Sequence, residues 1–143
     1  MKAVLFSVFA LIFSSNVFAA KEIYTGLFNS DAVSGYDTVS YFDGTPTEGS
    51  SKFKTEYDGV TWKFANQANL DKFLSNPKQY APQYGGHCAW AIAAKDALAP
   101  GDPKQWKIVD NKLYLNYSEE TFTTWKQDIE GFINTGDKNW AKR

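Results

Sequence analysis

Lys52-Phe53-Lys54-Thr55-Glu56-Tyr57-Asp58-Gly59-Val60-Thr61-Trp62-Lys63-Phe64 alternates apolar and polar residues on both sides of a two-residue turn. Phe53, Thr55 and Tyr57 lie on one face before Asp58-Gly59, and Val60, Trp62 and Phe64 on one face after it. Asp-Gly between two period-two runs is the strongest short-range signal for a β-hairpin. A second such signal follows downstream, where Trp106 to Val109 and Lys112 to Asn116 flank Asp110-Asn111. Two local hairpins anchor the chain, and the segments around them decide how it closes.

Those segments read as short helices. Asn66 is an N-cap for a helix through Leu74, with Leu70, Phe73 and Leu74 on one face. Asn76-Pro77 ends it, and Pro77 starts a second short helix through Tyr80. Ala81 to Gly86 is a turn, and His87 to Lys95 is an Ala-rich short helix. Pro100-Gly101 and Asp102-Pro103 mark a loop. Ser118 caps a helix through about Ile133, with Phe122, Trp125, Ile129, Phe132 and Ile133 as its apolar stripe. Ser118-Glu119-Glu120-Thr121 lacks the usual capping-box glutamate, and Gly136 is the expected stop. Lys138 to Arg143 is a tail in which Trp140 is the residue to dock. Nearer the start, Asp37 caps a helical turn over Thr38 to Phe42, and residues 44–51 are loop by composition. Hairpins mixed with helices predict an α+β fold: a single small domain of two β-hairpins packed by several short helices and a C-terminal helix.

The first residues follow a different pattern. Met1-Lys2 is a short positive start, Ala3 to Phe13 is apolar, and Val17-Phe18-Ala19 ends in small residues. That is a secretory signal over residues 1–19, with cleavage expected after Ala19 and a periplasmic or secreted product. The apolar run is shorter than the roughly 20 residues a bilayer span takes, so no stable membrane span is expected after cleavage. Residues 20–32 form a lead segment, and residues 33–143 the domain. Fifteen basic residues against sixteen acidic ones give a formal charge of −1. With no basic excess, nucleic acid is not an expected partner.

One cysteine and one histidine occur in the chain, side by side at His87-Cys88 behind Gly85-Gly86. An exported chain with one cysteine has no internal disulfide, so its thiol is buried, metal-bound or free. Thiolate and imidazole are soft-metal ligands, but a structural zinc site needs four. Any metal here must add carboxylates or a second chain, the candidate carboxylates being Asp37, Asp96 and Asp102. Cu(I), which accepts two or three ligands and prefers thiolate, is the metal least at odds with this donor set. The competing reading makes Cys88 a small buried hydrophobe packed against Trp90, Ile92 and the hairpins. A Cys–His catalytic pair is not expected, because neighbouring side chains rarely align as nucleophile and base. If Tyr36, Tyr84, Gly85, Gly86 and Trp90 line a pocket, a small ligand becomes the alternative occupant.

Several blocks carry a family resemblance. Gly35-Tyr36-Asp37-Thr38-Val39-Ser40-Tyr41-Phe42 is close to a Gly-Tyr-Asp-Pro-Val-Ala-Tyr-Phe opening. Phe64-Ala65-Asn66, Phe73, Pro77 and Tyr80-Ala81-Pro82-Gln83-Tyr84-Gly85-Gly86-His87-Cys88-Ala89 resemble the centre of a YHS domain. Lys112 to Tyr117 and the Trp125 helix resemble the C-terminal extension of exported stand-alone members, so the likeness spans about residues 33–140. YHS domains occur in copper-transporting ATPases and some multicomponent hydroxylases, and the resemblance implies metal binding, with copper as the metal. By motif position Cys88 carries over. His87 stands where relatives often have Tyr, and metal-binding forms often carry two cysteines. The expectation is therefore an exported, non-enzymatic protein binding a metal through Cys88, with His87 and Asp37 assisting. Its alternative is a small-ligand or protein interaction module with a buried structural cysteine.

Overall fold

The computed structural model describes residues 22–26 and 30–143. The expected signal segment, residues 1–19, lies outside the described residues. The fold is α+β, with three small antiparallel pairs and five helices among the described residues. β1 (Tyr36–Asp37) pairs with β2 (Thr47–Glu48), β3 (Ser50–Tyr57) with β4 (Val60–Phe64), and β5 (Asp102–Val109) with β6 (Lys112–Asn116). The helices are α1 (Gln67–Ser75), α2 (Pro77–Tyr80), α3 (Ala89–Lys95), α4 (Glu119–Lys126) and α5 (Ile129–Ala141).

Both expected hairpins form. Asp58 and Gly59 have φ of 49° and 75°, and Asp110 and Asn111 have φ of 49° and 60°. Positive φ at both central residues is the type I′ turn, whose twist matches that of the flanking strands. The β1–β2 pair was not expected; two residues per strand are too few to show a period. β5 also starts earlier than the sequence suggests, taking in Asp102-Pro103. A register shift between Asp102 and Trp106 accommodates the proline there, and the Tyr41 hydroxyl donates to the Pro103 carbonyl at 2.6 Å.

The α1 cap is as expected, with Asn66 Oδ1 accepting from the Asn69 amide at 2.8 Å. The C-terminal helix differs in two ways. Thr121 completes the capping box in place of a glutamate: its hydroxyl accepts from Ser118 N at 2.9 Å and Ser118 Oγ accepts from Thr121 N at 3.2 Å. The helix also breaks after Lys126, Asp128 caps α5 through the Gly131 amide at 3.1 Å, and α5 runs past Gly136 to Ala141. Gly136 is no stop because a tyrosine ring needs its bare face. A Cβ there would lie 2.8 Å from the Tyr84 hydroxyl.

β6 divides the interior. Its residues alternate, so Leu113 and Leu115 join one cluster with Val39, Tyr41, Trp62 and Phe73. Tyr114 points the other way, into a second cluster with Tyr84, Ile92 and Trp125. α3 and α5 pack together over that second cluster. No helix among the described residues is long and apolar enough to cross a membrane.

Candidate functional site

The segment from Gln83 to Cys88 turns sharply between the two clusters. Tyr84 and Gly85 both adopt left-handed backbone, with φ of 58° and 62°. Left-handed geometry costs a non-glycine residue roughly 1–2 kcal/mol, so packing must hold Tyr84 there. Its hydroxyl donates to Asp137 Oδ1 at 2.8 Å, and its ring sits against Gly136 and Trp140. Burial, and then the Asp137 carboxylate, raise the Tyr84 pKa far above the ordinary tyrosine range, so the phenol stays protonated. Glycine is required around this turn for close backbone approach. A Cβ on Gly85 would strike the Glu22 carbonyl, and one on Gly101 would strike the Gly86 carbonyl. Gly85 O in turn accepts from the Tyr24 amide at 2.9 Å, which ties the lead segment to the turn.

His87 follows in extended geometry (ψ 160°) and Cys88 (φ −56°, ψ 117°) leads into α3, and their side chains find different partners. The His87 ring is buried with Nδ1 2.8 Å from the Tyr84 carbonyl, between Tyr24 and Trp140 at centroid distances of 5.7 and 6.1 Å. Desolvation lowers its pKa, with the Tyr84 carbonyl pulling the other way. Cys88 is wholly buried at the start of α3 and bridges to Leu115 of β6. Its Sγ donates to Asn116 Oδ1 at 3.5 Å, an oxygen that also accepts from Trp90 N at 3.1 Å. The Trp90 contact fixes which end of the Asn116 amide is oxygen. Its Nδ2 is buried without a hydrogen-bond partner.

Asp37 lies elsewhere, in a network of its own. Its carboxylate is completely buried and accepts from Ser40 N at 3.2 Å, Ala65 N at 2.9 Å and Asn69 Nδ2 at 2.7 Å. One side chain thereby caps the turn after β1 and ties it to the end of β4 and to α1. Asp96 is exposed and pairs with Arg143 at 3.4 Å, and Asp102 accepts from Lys104 N at 2.8 Å. Among the described residues no group of three or more His, Cys, Asp or Glu side chains is placed to hold a metal ion. Cys88, His87 and Asp37 each face a different protein partner, and in this arrangement they do not fit a metal ion as one ligand set.

The turn does floor a cleft of about 480 Å³. Its lining includes Tyr57 and Asp58 at the β3–β4 turn and Asp137 and Trp140 of α5. Tyr84, Gly85 and Lys78 of α2 also line it. Of the residues expected to line a pocket, Tyr84 and Gly85 do so here. Tyr36 packs on Tyr41 in the first cluster, Gly86 is buried against Pro82, and Trp90 stands under the Lys95 ammonium at 5.8 Å. Sequence reasoning missed Tyr57, Asp58, Lys78 and Asp137. Each lies in a different element, and nothing in local spacing says that those elements meet. A tryptophan at position 140, in a stretch otherwise rich in polar residues, was the available signal.

Residues 38–84 match the family model of the YHS domain. The match is shorter than the blocks that resemble the family by eye, and it ends on the tyrosine at the floor of the cleft. No curated protein and no solved structure matches the chain.

Proposed function

We propose that this chain, which carries a YHS domain over residues 38–84, is a non-enzymatic binding module that holds a small ligand in the cleft above Tyr84 and Gly85. The observation that carries the reading is the cleft itself: about 480 Å³, within the size range of small-molecule sites, with convergent polar groups over an aromatic floor. Its floor is the end of the matched domain, and its lining takes in the C-terminal helix beyond it. Cys88 in this reading is structural: wholly buried, and engaged with Asn116. The absence of catalysis belongs to the same proposal, supported by the divergence of the His87 ring and the Cys88 thiol.

Amide shifts of the ¹⁵N-labelled chain test the reading with three probes: choline, acetate and glucose. At least one should shift amides at Asp58, Gly85 and Asp137 together. No saturable shift, or shifts confined to another face, refutes it.

The domain match is itself consistent with a metal-binding role, and one feature favours a second reading of that kind. The Cys88 thiol has a single weak partner at 3.5 Å, a contact a soft ion could displace. Copper bound through Cys88, with His87 and Asp37 recruited, is its sharpest form. It requires those side chains to leave their present partners, which is why the cleft reading stands first. Cu(I) titration of the reduced protein separates the two: loss of stoichiometric binding in Cys88→Ala supports the metal, and unchanged binding removes it. Export to the periplasm or beyond completes the proposal. Its support is the pattern of residues 1–19, and a mature N-terminus at Ala20 in a secreting host is the expected result.

A further inference from the structure

A second groove, of about 780 Å³, lies between the β5–β6 turn and α5. Half-buried Val109, Ile129 and Ile133 line it together with exposed Asp110, Glu130 and Asp137. No lysine or arginine is among its lining residues. Among the described residues, none of the three carboxylates is in an ion pair. The whole chain is close to neutral, with fifteen basic residues against sixteen acidic, so this is a local excess. The turn is braced from behind: Gln79 Nε2 of α2 donates to the Asn111 carbonyl at 2.6 Å. On α5, Glu130, Ile133 and Asp137 fall at i, i+3 and i+7, an acid–apolar–acid stripe about 10 Å long. Asp110 belongs to the same patch. After burial, Asp137 and then Asp110 push the Tyr114 pKa up to about 12. Carboxylates from the turn and from α5 thus act on one phenol, in the cluster against which Val109, Ile129 and Ile133 pack.

We infer that this groove docks a partner polypeptide through a basic–apolar–basic segment, two lysine or arginine side chains flanking one aliphatic side chain. Charge complementarity to the α5 stripe selects that occupant. The cationic heads meet Glu130 and Asp137 on the helix and Asp110 on the turn, and the aliphatic group between them covers Ile133. In an extended segment residues i, i+2 and i+4 share one face and span about 13 Å, enough to reach from Glu130 to Asp137. The stems of lysine and arginine are themselves apolar and lie on Val109 and Ile129 while their heads stay in water. One metal ion is a poorer fit, because among the described residues no three His, Cys, Asp or Glu side chains are placed to hold it. An acidic segment would be repelled by three unpaired carboxylates, and an uncharged apolar one would leave them uncompensated. The groove shares only Asp137 with the ligand cleft, so the inference stands apart from the cleft reading.

The test titrates the full ¹⁵N-labelled chain with acetyl-Lys-Gly-Leu-Gly-Lys-amide and follows amide shifts. Saturable shifts are expected at Asp110, Glu130 and Ile133. A peptide with Gln for both Lys should bind at least about fivefold more weakly at low ionic strength, the gap closing as salt screens the exposed carboxylates. A peptide with Ser for Leu keeps the charge and should bind about threefold more weakly. Asn134→Lys sets a cation at an exposed position of the groove and should weaken the first peptide at least about fivefold. Asp110→Asn, which tolerates the positive φ of the turn, should weaken it about two- to fivefold. Equal binding of the Gln peptide, of the Ser peptide or of spermidine overturns the inference, as does unchanged binding in Asn134→Lys or the absence of any saturable shift. Concentration-dependent shifts at these amides without peptide would seat a second copy there and overturn it too. Shifts at Asp58 and Gly85 in place of Asp110 and Glu130 would move the peptide to the cleft, overturning the groove and leaving the cleft reading in place.

Discussion

Replacing Asp37 by alanine tests whether that carboxylate holds the fold or serves as a ligand. Three donors converge on it: Ser40 N, Ala65 N and Asn69 Nδ2, at 3.2, 2.9 and 2.7 Å. Ser40 and Asn69 are buried and Ala65 is half-buried, so two donors lose their acceptor with no access to water and the third with partial access. A buried donor left unsatisfied costs about 1–3 kcal/mol. Two full losses, one partial loss and the cavity left by the side chain together amount to about 3–5 kcal/mol. That is a large share of the roughly 5–15 kcal/mol by which domains are stable. Asp37→Asn keeps the shape and one oxygen. Because Oδ2 accepts two of the bonds and Oδ1 one, the amide should turn its oxygen to Ala65 and Asn69 and its NH₂ toward Ser40 N. The loss is then about 1.5–3 kcal/mol, less than for alanine. Urea unfolding followed by tryptophan fluorescence measures both. With a slope of about 2 kcal/mol/M, the alanine variant should lose roughly 2 M in midpoint at unchanged slope. A loss below about 1 kcal/mol in Asp37→Ala, or a more stable Asp37→Asn, would refute the account of Asp37 as a structural hub.

The Cys88 thiol should resist an aromatic disulfide reagent in the native protein and react within the mixing time in denaturant, since no Sγ surface is open; fast labelling without denaturant contradicts the buried placement. Gly101→Ala places a Cβ against the Gly86 carbonyl and should cost about 1–3 kcal/mol by overpacking, read as a lower thermal midpoint. The buried His87 has a folded-state pKa below its ordinary value of 6.5, so the unfolded chain binds the proton more readily. Its contribution to stability is therefore fully present above pH 6.5 and is lost as pH falls from there through the folded-state pKa. Denaturant midpoints between pH 7.5 and 5 should fall in the native protein and fall less in His87→Gln. Equal slopes would contradict the assignment of the pH effect to His87.

How much of each element is written in the sequence depends on the range of the interaction that forms it. The β3–β4 and β5–β6 hairpins are written in Asp58-Gly59 and Asp110-Asn111, because a type I′ turn depends on two residues and its strands on alternation beside them. The α1 and α4 caps are likewise local, although at α4 Thr121 closes the box in place of a glutamate and the helix breaks after Lys126 instead of running to Ile133. Gly136 misled because an isolated glycine signals a helix end when nothing packs on it. Here Tyr84, from fifty-two residues earlier in the numbering, occupies the space a side chain would take.

The placement of chemistry was far less legible. Adjacency in the chain brought His87 and Cys88 to notice as a pair, yet the imidazole meets the Tyr84 carbonyl and the thiol meets Asn116, partners that only tertiary packing supplies. Asp37 could be read as a cap from its neighbours, but its bonds to Ala65 and Asn69 exist only because the turn after β1 lies against β4 and α1. The cleft is the extreme case: its lining comes from a hairpin tip, a short helix, a left-handed turn and the last helix. What the sequence determined by itself was the set of elements, through turn chemistry, caps and hydrophobic period, all of which act within a few residues. What only the tertiary structure decided was which polar groups meet and which are sealed away, because burial and convergence depend on segments that touch only after the two clusters close on either side of β6.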